Sequence, residues 1–367
     1  MKFPYYNEND LKLYDILPKL SLYQGEDPFA VRTLPGAETY PVWMPDGEFS
    51  FLHEAAVIAY HGKLFASWYN NPSHELNGRT PIRARKSLDG GKTWDRVVVI
   101  ADDPTGEILY CPPVYGIVDD TLYLILNEMV APDHIHALDL YKYNEEADLF
   151  EFLWSRPIPF KLNTNVVHLG NGKLMLPGRI AELDSFPNTP AVLISDDGTM
   201  EGEWRLVYIA PNGDLPDGSK LVHPEISCAV EGENILMFCR DDERNVPLAY
   251  TSSDFGGTWD GPFAIDIPFT SSKIYAGELS DGRHYVMGNI WPADRSRLAI
   301  YLTDDASFTF THGWEMQNGI LPALGVGQKW HYPVADESDG YLRAIYTLSV
   351  KDPTRGAVLQ NLPVANL

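Results

Sequence analysis

The chain has 367 residues and a formal charge of −23, with 28 Lys and Arg against 51 Asp and Glu. That length allows one large domain or about two to three small ones. The acidic balance argues against nucleic acid and anionic membranes as partners, since both call for a basic surface. A few local arginines suffice to accommodate a small anionic ligand all the same.

The 20 Tyr, 9 Trp, 28 Pro and 29 Gly suit many short strands and turns. Three cysteines, Cys111, Cys228 and Cys239, make no disulfide framework, and free buried thiols are expected. No run of about 18 apolar residues predicts a membrane helix. The first residues, Met-Lys-Phe-Pro-Tyr-Tyr-Asn-Glu, lack the apolar core of a signal peptide. A cytoplasmic location is therefore expected, or a secreted one if a leader has been removed.

Residues 1–50 carry no repeat and are rich in Tyr, Pro and acidic side chains. They form an N-terminal segment available to close a ring of repeats. From residue 51 onward a hairpin pattern recurs: an apolar β-rich run, a Gly- or Asp-containing turn, then a second run. Its copies are His53–Trp68, Cys111–Asn127, Asn163–Arg179, His223–Arg240, Lys273–Asn289 and Trp330–Thr347.

A second repeat falls between the hairpins. Ser87-Leu-Asp-Gly-Gly-Lys-Thr-Trp94 and Ser252-Ser-Asp-Phe-Gly-Gly-Thr-Trp259 share the form Ser-x-Asp-x-Gly-x-Thr-Trp. This reads as a tight turn in which Asp accepts backbone N–H groups, Gly takes positive φ and Trp packs beneath. Weaker copies follow the third and fifth hairpins, at Ser195-Asp-Asp-Gly and Thr303-Asp-Asp. Six hairpins, each followed by a further turn, predict an all-β fold: a six-bladed β-propeller of four-stranded antiparallel blades over residues 51–367.

Asp-turn repeats at this spacing resemble those of the sialidase-like propellers, the Asp-box or BNR-repeat proteins, over residues 50–367. In such a ring the hairpin turns and Asp-turns lie on one face. The opposite mouth is built from residues just before each first strand and just after each second one. Here those include His53, Glu54, Trp68 to Glu75, Arg179, His223, Glu225, Arg240, Lys273, Tyr275, His331 and Tyr332. Such clustered polarity favours a ligand site, because buried charge without a partner is costly.

Sialidases hold a substrate carboxylate with three arginines and attack with a tyrosine activated by a glutamate. The resemblance places Glu225 and Arg240 on the fourth hairpin as base and anion clamp. It places Arg295, with Arg297 as competitor, as a further arginine, and Tyr332 as nucleophile. A Tyr of pKa near 10 needs such a base. The sequence departs from the family where the first arginine belongs: His53-Glu54 stands there instead, and Arg179 is an arginine from another direction. The acid/base aspartate has no clear match, and Glu75, in Asn70-Asn-Pro-Ser-His-Glu, is the candidate. A Glu54–Glu75 pair suits acid/base work if one member stays protonated.

His53, His74, His223 and His331 gather at the same mouth, but no metal-type spacing accompanies them and no metal is expected. Trp68, Tyr69, Tyr275, Trp291 and Trp330 are candidates to stack on sugar rings, while Trp94 and Trp259 belong to the turns. No phosphate loop, nucleophile elbow or dinucleotide fingerprint is present, so no cofactor is expected. The expected function is an exo-acting glycoside hydrolase on a terminal, possibly acidic, sugar. A polysaccharide lyase acting on uronates and a non-catalytic glycan- or protein-binding propeller are the alternatives.

Overall fold

A computed structural model describes residues 1–292, 294–319, 327–351 and 353–367. Six antiparallel sheets follow one another along the chain. The first blade comprises Phe51–Tyr60, Lys63–Asn71, Ile82–Ser87 and Val98–Ala101. The second comprises Leu109–Val118, Thr121–Ala131, His134–Asn144 and Leu149–Arg156. In the third, an inner strand broken into Phe160–Leu162 and Val167–His168 precedes Leu174–Ile180, Thr189–Ser195 and Trp204–Tyr208. The fourth holds Ile226–Glu231, Asn234–Cys239, Leu248–Ser252 and Asp260–Ile265, and the fifth Tyr275–Glu278, His284–Asn289, Arg297–Thr303 and Phe310–Asn318.

Inner strands read as continuous apolar runs because both of their faces are covered by neighbouring blades. Almost all of Phe51–Tyr60 is buried, whereas the outermost strand Leu149–Arg156 is mostly open to solvent. Between blades the chain needs polar ties as well. Asn165, in the break of the third inner strand, accepts from Tyr115 N at 2.9 Å and donates to Val57 O at 3.1 Å, joining three blades near the axis.

The sixth blade is built from both ends of the chain. Lys329–Ser338, Tyr341–Lys351 and Thr354–Pro363 are completed by Glu38–Trp43, with Tyr40 opposite Leu359 and Glu38 opposite Asn361. Before reaching that position the N-terminal segment runs around the rim. Its helix, Glu8–Ile16, starts at a capping box in which Asn7 and Asp10 satisfy each other's backbone N–H groups. Leu13 and Tyr14 bury against the core of the third and fourth blades. Lys19–Leu20 and Arg32–Thr33 then add in parallel to the outer edges of the fourth and fifth blades. Covering these edges removes unpaired backbone groups from solvent.

The two Asp-turns have matching hydrogen bonds. In the first, Asp89 accepts from Ser87 Oγ at 2.8 Å, Thr93 N at 2.9 Å and Thr93 Oγ1 at 2.6 Å. In the second, Asp254 accepts from the equivalent Ser252 and Thr258 atoms, each at 2.8 Å. Trp94 and Trp259 each donate Nε1–H to a turn glycine carbonyl at 3.1 Å. The turns also staple adjacent blades. Gly90 O accepts from Arg343 and Asn361 of the sixth blade at 3.1 and 2.9 Å.

Gly91 sits at φ +85°, and a Cβ there would lie 2.1 Å from the buried Leu359 Cδ2. Gly91→Ala is therefore expected to cost about 1–3 kcal/mol, read as a lower midpoint in thermal or urea melts. Gly62→Ala, at φ +73° in open space, carries backbone strain without the clash and should lose less.

Candidate active site

On the face away from the hairpin turns, the mouth of the ring encloses a cavity of about 380 Å³. Its walls include His53, Glu54, Glu75, Asp133, Lys161, Arg179, His223, Glu225, Arg240, Asp242, Arg295, Tyr332 and Arg355. Among the described residues, five Lys or Arg and five Asp or Glu line it. In a chain with almost twice as many acids as bases, this balance marks a local concentration of cations.

The backbone explains how these side chains come to point inward. The inner strand of the first blade slips register between His53 and Ala56, and that of the sixth between His331 and Val334. Such bulges re-aim side chains at the rim of a sheet. Glu54 and Tyr332 fall inside them, both in the left-handed region, at φ 46° and 55°. Leu76, Asp133, His223 and Arg295 also have φ between 46° and 65°. These six, of fourteen non-glycine residues with positive φ among those described, all line the cavity. Backbone strain of this kind persists where surroundings over-determine it, and it concentrates at functional sites.

At the centre, Arg240 Nη1 donates to both Glu225 Oε2, at 2.5 Å, and the Tyr332 hydroxyl, at 2.8 Å. Its Nη2 donates to Asp242. Burial alone would raise the Glu225 carboxyl, but Arg240, Lys273 and Arg179 together hold it below the usual carboxylate range. Burial pushes the Tyr332 phenol up, so it stays neutral until a base takes its proton. Arg240, Lys273 and Arg295 lie 5.8, 5.4 and 5.6 Å from the Tyr332 ring centroid, an arrangement that favours a developing phenolate. His53 stacks on the same ring at 4.3 Å and is held by Thr347 Oγ1 at 3.1 Å. Burial, then the nearby Arg355 and His331, keep His53 neutral.

Glu54 does not stand as an unpaired acid. Lys273 Nζ donates to it at 3.1 Å and Cys111 Sγ lies 3.6 Å away. Glu54 and Lys273 thus form a buried ion pair between the first and fifth blades. Glu75 projects from the loop after the second strand of the first blade, accepting from Tyr69 OH at 3.4 Å. Partial desolvation by the cavity walls raises its carboxyl, and Glu54 adds to the effect. A carboxyl held up in this way gives up its proton less readily to water and is the better placed of the two to act as an acid.

The structure brings together Tyr332, Glu225, Glu75, Glu54, Arg240, Arg295, Arg179, His53 and His223 of the expected residues. Arg297 is set apart, paired with Glu315 at 2.9 Å. Three expected ligand contacts need correction. Trp68 is buried in the core and bonds to Asn70 Oδ1 at 2.7 Å. Tyr275 packs in the same core, donates to Ala335 O at 2.9 Å, and borders a separate cavity of about 340 Å³. His331 sits behind the wall, with Arg295 Nη1 donating to its Nδ1 at 3.0 Å, so it braces that arginine. His74 is exposed and bonds to Ser73 and Asn77 outside the cavity. Among the described residues no group of three or more His, Cys, Asp or Glu converges as a metal site.

Four charged wall residues escaped the sequence reading: Asp133, Lys161, Asp242 and Arg355. The second strand of the second blade runs on past Asn127 and Glu128 to Ala131, so Pro132-Asp133 makes the turn at the mouth. Lys161 is the lone charge in the buried Phe160–Leu162 strand, a readable signal. It donates to Asp133, which lies 3.7 Å from Arg179 Nη2 and 3.9 Å from His223 Nε2. His223 Nδ1 is in turn 3.2 Å from Asp242.

Burial would raise the Asp133 carboxyl, yet Lys161 and Arg179 hold it well below its ordinary value. Its contribution to stability is therefore present above an unfolded-state pKa of about 3.9, and is lost as pH falls below that. Asp133→Asn leaves two buried cations without their carboxylate, an expected loss of about 3–5 kcal/mol at neutral pH. The difference in melting temperature from the native protein should narrow between about pH 5 and pH 2.

Comparison with known proteins agrees with this architecture. No curated protein sequence matches the chain. Among solved structures, Trypanosoma rangeli sialidase in complex with sialic acid superposes with a TM-score of 0.67 at 13% identity, covering 91% of this chain and 60% of that one. A Streptococcus pneumoniae sialidase gives 0.68 at 11% identity, covering 93% and 71%. A Hadza microbial sialidase gives 0.66 at 12%, covering 87% and 66%. The chain thus spans 60% of the length of the trypanosomal enzyme. The family model for the BNR repeat-like domain matches residues 62–343. With its repeated Asp-turns and sialidase-like ring of six blades, the chain belongs to the BNR repeat-like domain family.

Proposed function

We propose that this protein is an exo-acting glycoside hydrolase that removes a terminal, acidic sugar. The observation that carries this reading is the single guanidinium nitrogen of Arg240 shared between Glu225 and the Tyr332 hydroxyl. A carboxylate kept ionised, a neutral phenol and a cation between them are the parts of an activated oxygen nucleophile. Tyr332 Oη attacks the anomeric carbon while its proton passes to Glu225. Glu75 protonates the departing glycosidic oxygen. In the second half, Glu75 takes a proton from water, which displaces the tyrosine; the departing tyrosine oxygen recovers its proton from Glu225, and the product keeps the anomeric configuration of the substrate. A neutral nucleophile avoids the repulsion that a carboxylate would meet from an anionic sugar, and the tyrosine nucleophile is a recognised exception among glycosidases. Arg240 and Arg295 neutralise charge near the reacting carbon. The sialic acid bound by the trypanosomal relative supports a saccharide ligand, while Glu54–Lys273 in place of the first arginine argues for a different sugar acid.

A screen of acidic oligosaccharides with the native protein and Tyr332→Phe tests this. The variant is expected to lose about 10³-fold or more in turnover; unchanged turnover removes Tyr332 from the mechanism. An unsaturated chromophore among the products would instead identify β-elimination. Glu75→Gln should lose about 10²–10⁴-fold on natural glycosides, and far less on aryl glycosides whose leaving group needs no proton. Equal losses on both would deny Glu75 its role as acid.

A further inference from the structure

The cavity has two charged halves. One surrounds Tyr332 and is used by the proposed chemistry. The other lies where the second and third blades meet, and centres on Arg179. This side chain is 2% exposed, among the largest of the fully buried side chains. It ends the second strand of the third blade, opposite Lys161 of the inner strand. Nε and Nη1 of its guanidinium have no hydrogen-bond partner. The remaining nitrogen, Nη2, lies 3.7 Å from Asp133 Oδ1, an oxygen already taken by Lys161. Two cations therefore share one carboxylate. The next titratable neighbours are His223 on the Asp133 side and Glu225, which is itself engaged with Arg240.

A buried donor left unmade costs about 1–3 kcal/mol, and more when charged. Two such donors on one guanidinium are an expense that folding alone has no reason to retain. The cavity offers the means to satisfy them: Arg179 is one of its walls. Phe186, in the 181–188 loop, covers the group. Its ring lies 5.7 Å from Arg179 Cζ and edge-on to His223 at 4.9 Å, while remaining 37% exposed. Displacing this one partly exposed ring would open the guanidinium to a ligand group.

We propose that Arg179, with Lys161 beside it, forms an anion subsite on the side of the mouth between the second and third blades, and that it receives the carboxylate of a sugar acid. The planar guanidinium matches a carboxylate, and such charge-assisted bonds are shorter and stronger than neutral ones. This rests on the reading of the mouth as a saccharide site. It departs from the family arrangement in direction: the acid group is held from the third blade, across the cavity from Arg295, which turns the sugar relative to Tyr332.

Binding separates this subsite from catalysis. The probes are free D-glucuronate, D-galacturonate and N-acetylneuraminate, with D-glucose and D-galactose as neutral counterparts, titrated calorimetrically into the native protein, Arg179→Gln and Tyr332→Phe. At least one acid is expected to bind ten-fold or more tightly than the neutral sugars. Arg179→Gln should reduce it to the neutral level, and Tyr332→Phe should retain it. Arg179→Gln should also melt no lower than the native protein, because it removes a charge whose donors are unmet while Lys161 keeps Asp133 paired. Equal binding of acids and neutral sugars, no binding of any acid, or an unchanged affinity in Arg179→Gln would overturn the subsite. A lower melting point with unaltered acid binding would assign Arg179 to structure. Loss of turnover in Tyr332→Phe bears on the hydrolase reading alone, since binding is measured without it.

Discussion

Charge compensation around one small cavity is the constraint on which the molecule depends. A propeller brings the ends of its inner strands to a common axis, so any ionisable group placed there is drawn out of water beside every other. An isolated ion in such a place would neutralise itself or unfold the ring. Here Glu225 and Asp242 share Arg240, Glu54 holds Lys273, and Asp133 holds Lys161. Two of these pairs cross between blades, Glu54 of the first with Lys273 of the fifth and Asp133 of the second with Lys161 of the third, so they also fix those blades relative to one another. Function and ring geometry are in this sense one electrostatic problem.

The backbone meets that problem by local distortion instead of by extra loops. Bulges at His53–Ala56 and His331–Val334, and left-handed residues around the mouth, turn side chains from the faces of the blades toward the axis. An undistorted strand alternates its side chains between its two faces, both of which are covered by neighbouring blades. It has no direction pointing along the axis to offer a side chain. Glu54 and Tyr332 obtain one only by leaving regular β geometry.

Much of this was legible from residues. The two full Asp-turns and six hairpins set the phase of the blades, and once the phase is known the mouth positions follow, which is how Tyr332, Glu225 and Arg240 came together on paper. The reading failed where side-chain direction, not chain position, decides. Trp68 and Tyr275 occupy strands that enter the mouth, but their rings turn into the packing between blades. Asp133 was missed because the strand before it continues four residues beyond Asn127. Lys161 was missed because its strand is only three residues long and unpaired with a tight turn. The helix Glu8–Ile16 went unread because it lacks a strong apolar stripe. The pairing of neighbours across blades, such as Lys273 with Glu54, joins positions 219 residues apart and leaves no local trace.

The completion of the sixth blade by Glu38–Trp43 has a consequence in time. Its partner strand, Thr354–Pro363, is made long after it, with Glu38 opposite Asn361. At roughly 5–20 residues per second of synthesis, the early strand waits on the order of tens of seconds for its mate. During that interval five blades can form in sequence while the ring remains an open arc with two free edges. The strand's own composition suits the wait: Glu38, Thr39 and Pro41 are exposed, and charge and proline discourage pairing with the wrong edge. The mouth, where Glu54 of the first blade meets Lys273 of the fifth, thus acquires its shape only once the circle closes.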